Sequence, residues 1–586
     1  MTRRAVRQGM ASWLWAWLLG IGLIGMMSGC GGALTRVDRP LLVRPQGPPS
    51  IDRTQDLGGL PLPPVGQLSV EHSDGLYTPG EWIAVHGQNL TADSRIVIGG
   101  RAAQVAGFLE GGALLTRLPR GVPPGPQLVQ IDNGMGTAKT SILTAVYAFG
   151  GDAQANAVRI RRMVAQGTDG SDFEDVAFDV LFPLARFVAL SPDGAILYVL
   201  QEPTSELAQP ESTDNPSAAT PADATKTVVS ELLVLHLGGK GGPRALQRMP
   251  LALQGKPTGL VVGPFGQLVV LQKRQLTVVD ASTPLALHPL AQLPLAAPEQ
   301  ERELIDAEFV GDGRQLAVLE AFANQIHLVD LHQPSLPQVV TGISLSQAYE
   351  QPFSIDLALG ADGQSLWVLQ GPNLRLAGKR LVDGLSGAWR DVKAMELKAA
   401  GKTLGQTAVG TAMLPSESLS RLQLVQLIEG QLQVVKSIPL PPEVFPFFVQ
   451  PDYQGSLYVS GVNRKNQFTD LEASLAGVGR LLGALKNTAQ LGLVLKVSAD
   501  TGAVTTAVQG VAIYYDLALL PTGQILTSTV RLGPGYIPPR LTLDWGFEVP
   551  GRSFAKLREV ANTGLKITDA VQRMLPPYRY ERIGVQ

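Results

Sequence analysis

Cys30 is the only thiol in 586 residues, and a thiolate is the softest nucleophile this chain can offer. What surrounds it decides its chemistry. Arg3, Arg4 and Arg7 stand at the start, an apolar run extends from Ala11 to Met27, and Ser28-Gly29 precede the cysteine. A basic start, an apolar core and small residues before a cut are the parts of a secretory signal. Cleavage after Gly29 leaves the thiol on the first residue. The competing reading is an uncleaved anchor, because the apolar run is near the short limit for a bilayer span. With no second cysteine there is no intramolecular disulfide, so the exported chain must be held by its core alone.

Other chemistry is sparse. The histidines His72, His86, His236, His288, His327 and His332 are scattered, and none falls in an HExxH pattern. A zinc site needs at least three convergent ligands, so no metal is expected. The chain has no Gly-x-Ser-x-Gly, Ser-x-x-Lys or phosphate-loop pattern. Asp172, Glu174, Asp175 and Asp179 form a short acidic run, read as a solvated loop or a strand edge. No loop alternates Asp and Asn ahead of a Glu as a calcium hand does. The expectation is therefore no catalytic residue, no metal and no cofactor, with ligand-binding residues unassigned.

Met27-Ser28-Gly29-Cys30 resembles the lipobox of bacterial lipoproteins, with Met27 where leucine is usual. The resemblance implies that residues 1–29 are a signal peptide and that Cys30 carries a diacylglyceryl group. The first partner it implies is thus a membrane, reached through the lipid on Cys30. Gly31 and Gly32 follow. An Asp at the next position is an inner-membrane retention signal in enteric bacteria, so the resemblance places the protein at the outer membrane, in a leaflet left open.

Charged residues are 17% of the chain, against about 25% in an average globular protein. The net charge is −2, and loss of the three arginines before Cys30 leaves −5. That balance offers no footprint for nucleic acid. Gly (64) and Pro (43) are abundant, and both interrupt helices, so an all-β protein of several domains is expected. Residues 30–64 contain Pro40, Pro45, Pro48, Pro49, Pro61, Pro63 and Pro64. They read as a lipidated N-terminus and a tether, extended at about 3.1 Å per residue, or as simple disorder.

Residues 65–149 alternate apolar and polar in short runs: 67–71, 82–87, 95–100, 102–108, 113–119, 127–132 and 141–147. Turn residues such as Thr78-Pro79-Gly80 and Asn133-Gly134 separate them, as in a β-sandwich. The order Tyr77-Thr78-Pro79-Gly80-Glu81, Val85-His86-Gly87-Gln88-Asn89-Leu90 and Ile96-Val97-Ile98-Gly99-Gly100 resembles an IPT/TIG domain. So do Ala103-Gln104-Val105, Leu118-Pro119 and Val129-Gln130-Ile131-Asp132-Asn133. The resemblance implies an immunoglobulin-like module, a spacer or docking unit.

From 150 to 550 a Gly-bearing turn recurs before an apolar strand. The turns are Ser191-Pro192-Asp193-Gly194, Gly263-Pro264-Phe265-Gly266, Gly311-Asp312-Gly313, Gly360-Ala361-Asp362-Gly363, Pro451-Asp452-Tyr453-Gln454-Gly455 and Pro521-Thr522-Gly523. Pro415-Ser416-Glu417-Ser418 is a seventh candidate. Gly supplies φ > 0, and Asp bonds its own backbone two residues on. The best spacings fit a four-stranded blade of a β-propeller. The repeat resembles NHL and YVTN propellers. Seven turns give about seven blades, with six or eight left open.

Residues 202–227 read as a disordered insertion. Residues 468–486 read as an inserted amphipathic helix, with Phe468, Leu471, Leu475, Val478, Leu481, Leu482 and Leu485 at helical spacing. It packs on the propeller or docks to a partner or membrane surface. Residues 551–586 read as a C-terminal helical segment.

The function expected from these readings is a lipid-anchored, non-catalytic binding or scaffold module of a bacterial envelope. Its partner would be an envelope protein or a glycan; the oligomeric state is not read. One alternative is an envelope enzyme, a lyase or hydrolase on glycans or lactones with its site in the propeller channel. Another is a surface adhesin or motility component.

Overall fold

A computed structural model of the chain describes residues 36–37, 44–58, 73–109, 111–152, 157–166, 172–183, 185–201, 227–255, 257–295, 303–321, 323–346, 353–371, 420–452, 454–463, 492–510, 513–520, 522–532, 541–548 and 584–585. Every regular element among the described residues is a strand. Cys30, Met27, Ser28 and Gly29, the insertion at 202–226 and the expected helix at 468–486 lie outside them.

Two sheets come first. One is ordered Arg36–Val37, Val105–Leu109, Leu114–Arg117, Trp82–His86 and Arg53–Asp56. The other is Arg101–Ala103, Arg95–Ile98, Gly125–Asp132 and Thr137–Thr144. They share a core: Ile83, Val85, Phe108 and Leu114 from the first meet Ile96, Ile98, Val129, Ile131 and Ile142 from the second. Two-residue alternation turns these side chains inward. Arg53–Asp56 corrects the sequence reading, which placed it in the tether. It pairs with Trp82–His86 as an edge strand, because Thr54 and Gln55 meet unpaired strand backbone there, a partner no proline-rich run reveals.

Seven further sheets follow, each a blade. Blade 1 contains Val146–Asp152, Ala157–Gln166 and Asp172–Pro183. Blade 2 is Ala185–Leu190, Ile196–Gln201, Thr227–His236 and Arg244–Gln254. Blade 3 is Pro257–Val262, Gln267–Gln272, Gln275–Asp280 and His288–Pro294. Blade 4 is Leu304–Val310, Gln315–Glu320, Gln325–Asp330 and Gln338–Ser344. Blade 5 is Phe353–Leu359, Ser365–Gly371, Arg421–Ile428 and Gln431–Pro439. Blade 6 is Val444–Pro451, Ser456–Asn463, Gly492–Ser498 and Val504–Gly510, and blade 7 is Ile513–Leu519, Ile525–Leu532 and Leu541–Glu548. The first strands of blades 2 to 7 neighbour one another in order, which makes them the inner strands of a ring.

The ring is closed. Gly584–Val585 pairs with Phe149 and Ala148, so blade 1 takes a fourth strand from the C-terminus, next to the inner strand of blade 7. This corrects the expected C-terminal helix at its last residues. The apolar cores give the same answer. An apolar cluster lies between each adjacent pair of blades: Phe149 and Ile160 with Leu197 and Leu235 between blades 1 and 2, and so round the ring. The last joins Ala148 and Met163 of blade 1 to Ala518 and Leu526 of blade 7. Each fully buried Leu, Val or Ile contributes about 1.5–3 kcal/mol, so every joint between blades is a hydrophobic core in its own right.

Six of the seven expected turns stand where an inner strand passes to the second strand of its blade. Asp193, Asp312, Asp362 and Asp452 each accept a hydrogen bond from the backbone N–H two residues on. The glycines that end the six turns have φ from 68° to 84°. Pro415-Ser416-Glu417-Ser418, like residues 551–583 of the expected C-terminal helical segment, lies outside the described residues; the strand after it, Arg421–Ile428, is the third of blade 5 rather than a second strand. The seventh blade is blade 1, whose inner strand, Gly584–Val585, comes from the other end of the chain.

Candidate functional site

The inner strands share an irregularity. Each of the six from blade 2 to blade 7 has a β-bulge near its start. The residue after the bulge is Asp306 in blade 4, Asp356 in blade 5 and Asp516 in blade 7, all buried. Bulges re-aim side chains, and in blades 4 and 5 the carboxyl group crosses to the next blade, whereas Asp516 accepts from Leu517 N of its own strand. Asp306 Oδ2 accepts from Leu357 N at 3.0 Å, and Asp356 Oδ2 accepts from Val449 N at 2.7 Å. These acids hold neighbouring inner strands together. Sequence reading passed over them, although Ile305-Asp306, Ile355-Asp356 and Tyr515-Asp516 recur at one place in the repeat.

The half-buried positions of the described inner strands are mostly apolar, among them Val188, Leu190, Leu260, Val262 and Phe447. Glu308 of blade 4 is the one carboxylate at such a position among the described residues. Among the described residues, no group of three or more His, Cys, Asp or Glu is placed to hold a metal. The histidines are used singly. His327 Nε2 sits 2.8 Å from Glu320 Oε2 inside blade 4, and His332 Nδ1 sits 2.6 Å from Asp330 Oδ1. His86 contacts Gln55, and His288 lies near Asp280. His236 is buried, and desolvation, helped by Arg244, pushes its pKa down to about 4. His72 lies outside the described residues. The acidic run at 172–179 falls in the outer strand of blade 1.

A set of buried and half-buried charged groups lies where the sandwich meets blades 1 and 2. Arg117 of the sandwich pairs with Asp193 in the first turn of blade 2 and stacks over Trp82, 4.2 Å from the ring centroid. Burial alone would raise the Asp193 carboxyl, but Arg117 and the Ser191 hydroxyl outweigh it and hold it low. Arg162 of blade 1 pairs with Asp74, its second Nη reaching Asp74 Oδ1 at 3.1 Å, and it lies over the Tyr147 ring. Between these pairs stands Glu81, almost fully buried. Its Oε2 accepts from Thr78 N at 2.6 Å, closing the Thr78-Pro79-Gly80-Glu81 turn. Its other oxygen abuts Gly238 of blade 2, where a Cβ would overlap the carboxyl. Desolvation first, then Asp56, pushes Glu81 up to about 8. Gly80 has φ +85° and lies so close to Ala195 that a side chain would strike its backbone.

The exposed surface is uneven. Of the twelve large hydrophobics that stand exposed among the described residues, eight belong to blades 3 to 5: Phe265, Leu285, Leu336, Val339, Val340, Ile428, Val434 and Val435. Phe265 lies in a turn between first and second strands; Leu285, Leu336 and Ile428 lie at turns between third and fourth strands. Those turns share the face on which the sandwich sits over blades 1 and 2. The valines stand on the outer strands of blades 4 and 5, which neighbour each other.

The chain is thus a closed seven-bladed β-propeller with a two-sheet unit seated on one side of one face. The sequence matches no protein-family profile and no curated protein. Solved structures similar to it include a 6-phosphogluconolactonase-like protein of Bacteroides fragilis, at 11% identity over 69% of this chain and 98% of that one, with a TM-score of 0.41. A periplasmic gluconolactonase of Pseudomonas aeruginosa has the same identity and TM-score, with 69% and 100% covered. A β-propeller domain from Myceliophteria thermophila is 8% identical over 64% and 91%, with a TM-score of 0.35. Likenesses of this size carry no argument about activity.

Proposed function

We propose that the protein is a lipid-anchored binding or scaffold module of a bacterial envelope, and that it engages its partner through one face of blades 3 to 5 and the outer strands of blades 4 and 5 that continue it. The observation that carries this reading is the grouping there of eight of the twelve exposed large hydrophobics. Single exposed apolar residues need no explanation, but a run of them along neighbouring blades marks an interaction surface. The immunoglobulin-like reading of the sandwich, on the IPT/TIG resemblance, gives that unit the role of a spacer fixed to the ring. Met27-Ser28-Gly29-Cys30 supplies the anchor, and its Gly31-Gly32 context supports the outer membrane.

Crosslinking in intact envelopes tests the surface. Phe265→Ser with Val340→Lys is expected to remove crosslinked species formed by the wild type while the protein level stays constant. Retention of every crosslinked species by that variant would refute the assignment. The anchor has its own test: Cys30→Ala should leave the membrane fraction, and intact mass of the wild type should show a diacylglyceryl-modified Cys30 as the first residue. A wild-type chain with a free thiol that still begins at Met1 overturns it.

A further inference from the structure

We propose that the seat of the sandwich on the propeller is a proton-controlled joint, closed while the Glu81 carboxyl group carries its proton and loosened when that group ionises. The geometry is a carboxyl group sealed between two units. Glu81 belongs to the sandwich, is 1% exposed, and has one oxygen satisfied by the Thr78 N–H; the other, Oε1, has no hydrogen-bond partner among the described residues. That oxygen rests against the bare backbone of Gly238 in blade 2. A buried, unpaired anion there would be costly, whereas a neutral acid is tolerated. Water reaches the group only if the sandwich lifts away.

The groups facing Glu81 come from three directions. The sandwich contributes Asp56 and Asp74, which both oppose a negative charge, and Tyr77. Blade 1 contributes Arg162, which favours the anion but is committed to Asp74, and Tyr147. Blade 2 contributes Gly238 and, two residues away, His236, with the Arg117–Asp193 pair at the flank. Burial pushes both tyrosines up, and His236 is held down near 4. Burial raises the Asp56 carboxyl group as well, and Glu81, at about 8, titrates within the range from pH 6.5 to 9.

Linkage fixes the sign and the range. In the closed joint the acid titrates near 8, and in the open joint near the ordinary value of about 4.3. Between those values the open state has lost the proton and the closed state has kept it. The opening constant thus rises tenfold per pH unit up to about 8 and then levels. From pH 6.5 to 9 that is a rise of about 30-fold, of which about 16-fold is reached by pH 8.

The test is hydrogen exchange of the full chain from pH 6.5 to 9, with rates divided by the intrinsic base-catalysed rate. Peptides covering 76–82 and 236–242 report the joint, and a peptide covering 316–319 in blade 4 reports the ring. The joint peptides should show the rise of about 30-fold and the plateau while blade 4 stays level, and Glu81→Gln should abolish the rise. Gly238→Ala forces a methyl group against the carboxyl group and should open the joint at every pH, proving that the peptides see opening. A wild-type profile flat across the range, or a rise that survives in Glu81→Gln, overturns the proposal. The wild-type titration alone decides the matter if a variant does not fold. Partner crosslinking is not part of the readout, so this test can fail while the binding-module reading stands.

Discussion

Replacing Asp356 by alanine should weaken the joint between blades 5 and 6 more than any surface change to either blade. The Asp356 carboxyl group is buried and accepts from Val449 N at 2.7 Å across the joint. A hydrogen bond to an acid group contributes about 1.5–3 kcal/mol, and a buried N–H left without an acceptor costs about 1–3 kcal/mol. Removing one carboxyl group thus loses the first and incurs part of the second, roughly 3–5 kcal/mol by those ranges. Asp356→Asn keeps an oxygen in place and should lose less than half as much. Urea unfolding followed by pulse proteolysis is suited to the measurement, since a ring of blades need not unfold in one step. Gln433→Ala, on the exposed outer strand of the same blade, is the control. The reasoning fails if Asp356→Ala stays within about 0.5 kcal/mol of the wild type, the range of ordinary surface substitutions.

Deleting residues 584–586 removes the strand that pairs with Ala148 and Phe149; amide exchange in 146–152 should accelerate while that of blade 4 does not. His236 sets an acid limit. It titrates near 6.5 unfolded and near 4 folded, so the unfolded chain takes up the proton first as pH falls. Stability should be whole above 6.5 and decline towards 4, by a ceiling of about 3 kcal/mol; His236→Gln should flatten that stretch of the stability–pH curve.

The parts of the fold legible in the sequence are those with a local cause. Asp193-Gly194, Asp312-Gly313 and Asp362-Gly363 announce turns because a side-chain oxygen reaches its own backbone and a glycine accepts positive φ. The strands that follow them announce themselves as apolar runs. Gly584–Val585 has no such signal, since two residues show no period, and its value as a strand lies in Ala148 and Phe149 at the far end of the ring. Arg53–Asp56 failed for the same reason.

The site divides along the same line. Thr78-Pro79-Gly80-Glu81 is legible as a turn, and its Glu81–Thr78 hydrogen bond is local. That Glu81 is also sealed against Gly238, and that Asp74 meets Arg162, follows from two units approaching, which periodicity and composition cannot encode. Likewise Asp306 and Asp356 could be seen to recur, but not to point at a neighbouring blade. Composition and turn chemistry by themselves determined an all-β chain of repeated blades. Docking decided which charges are buried, how the ring shuts and where apolar surface is left uncovered, because desolvation and non-local pairing exist only once distant segments touch.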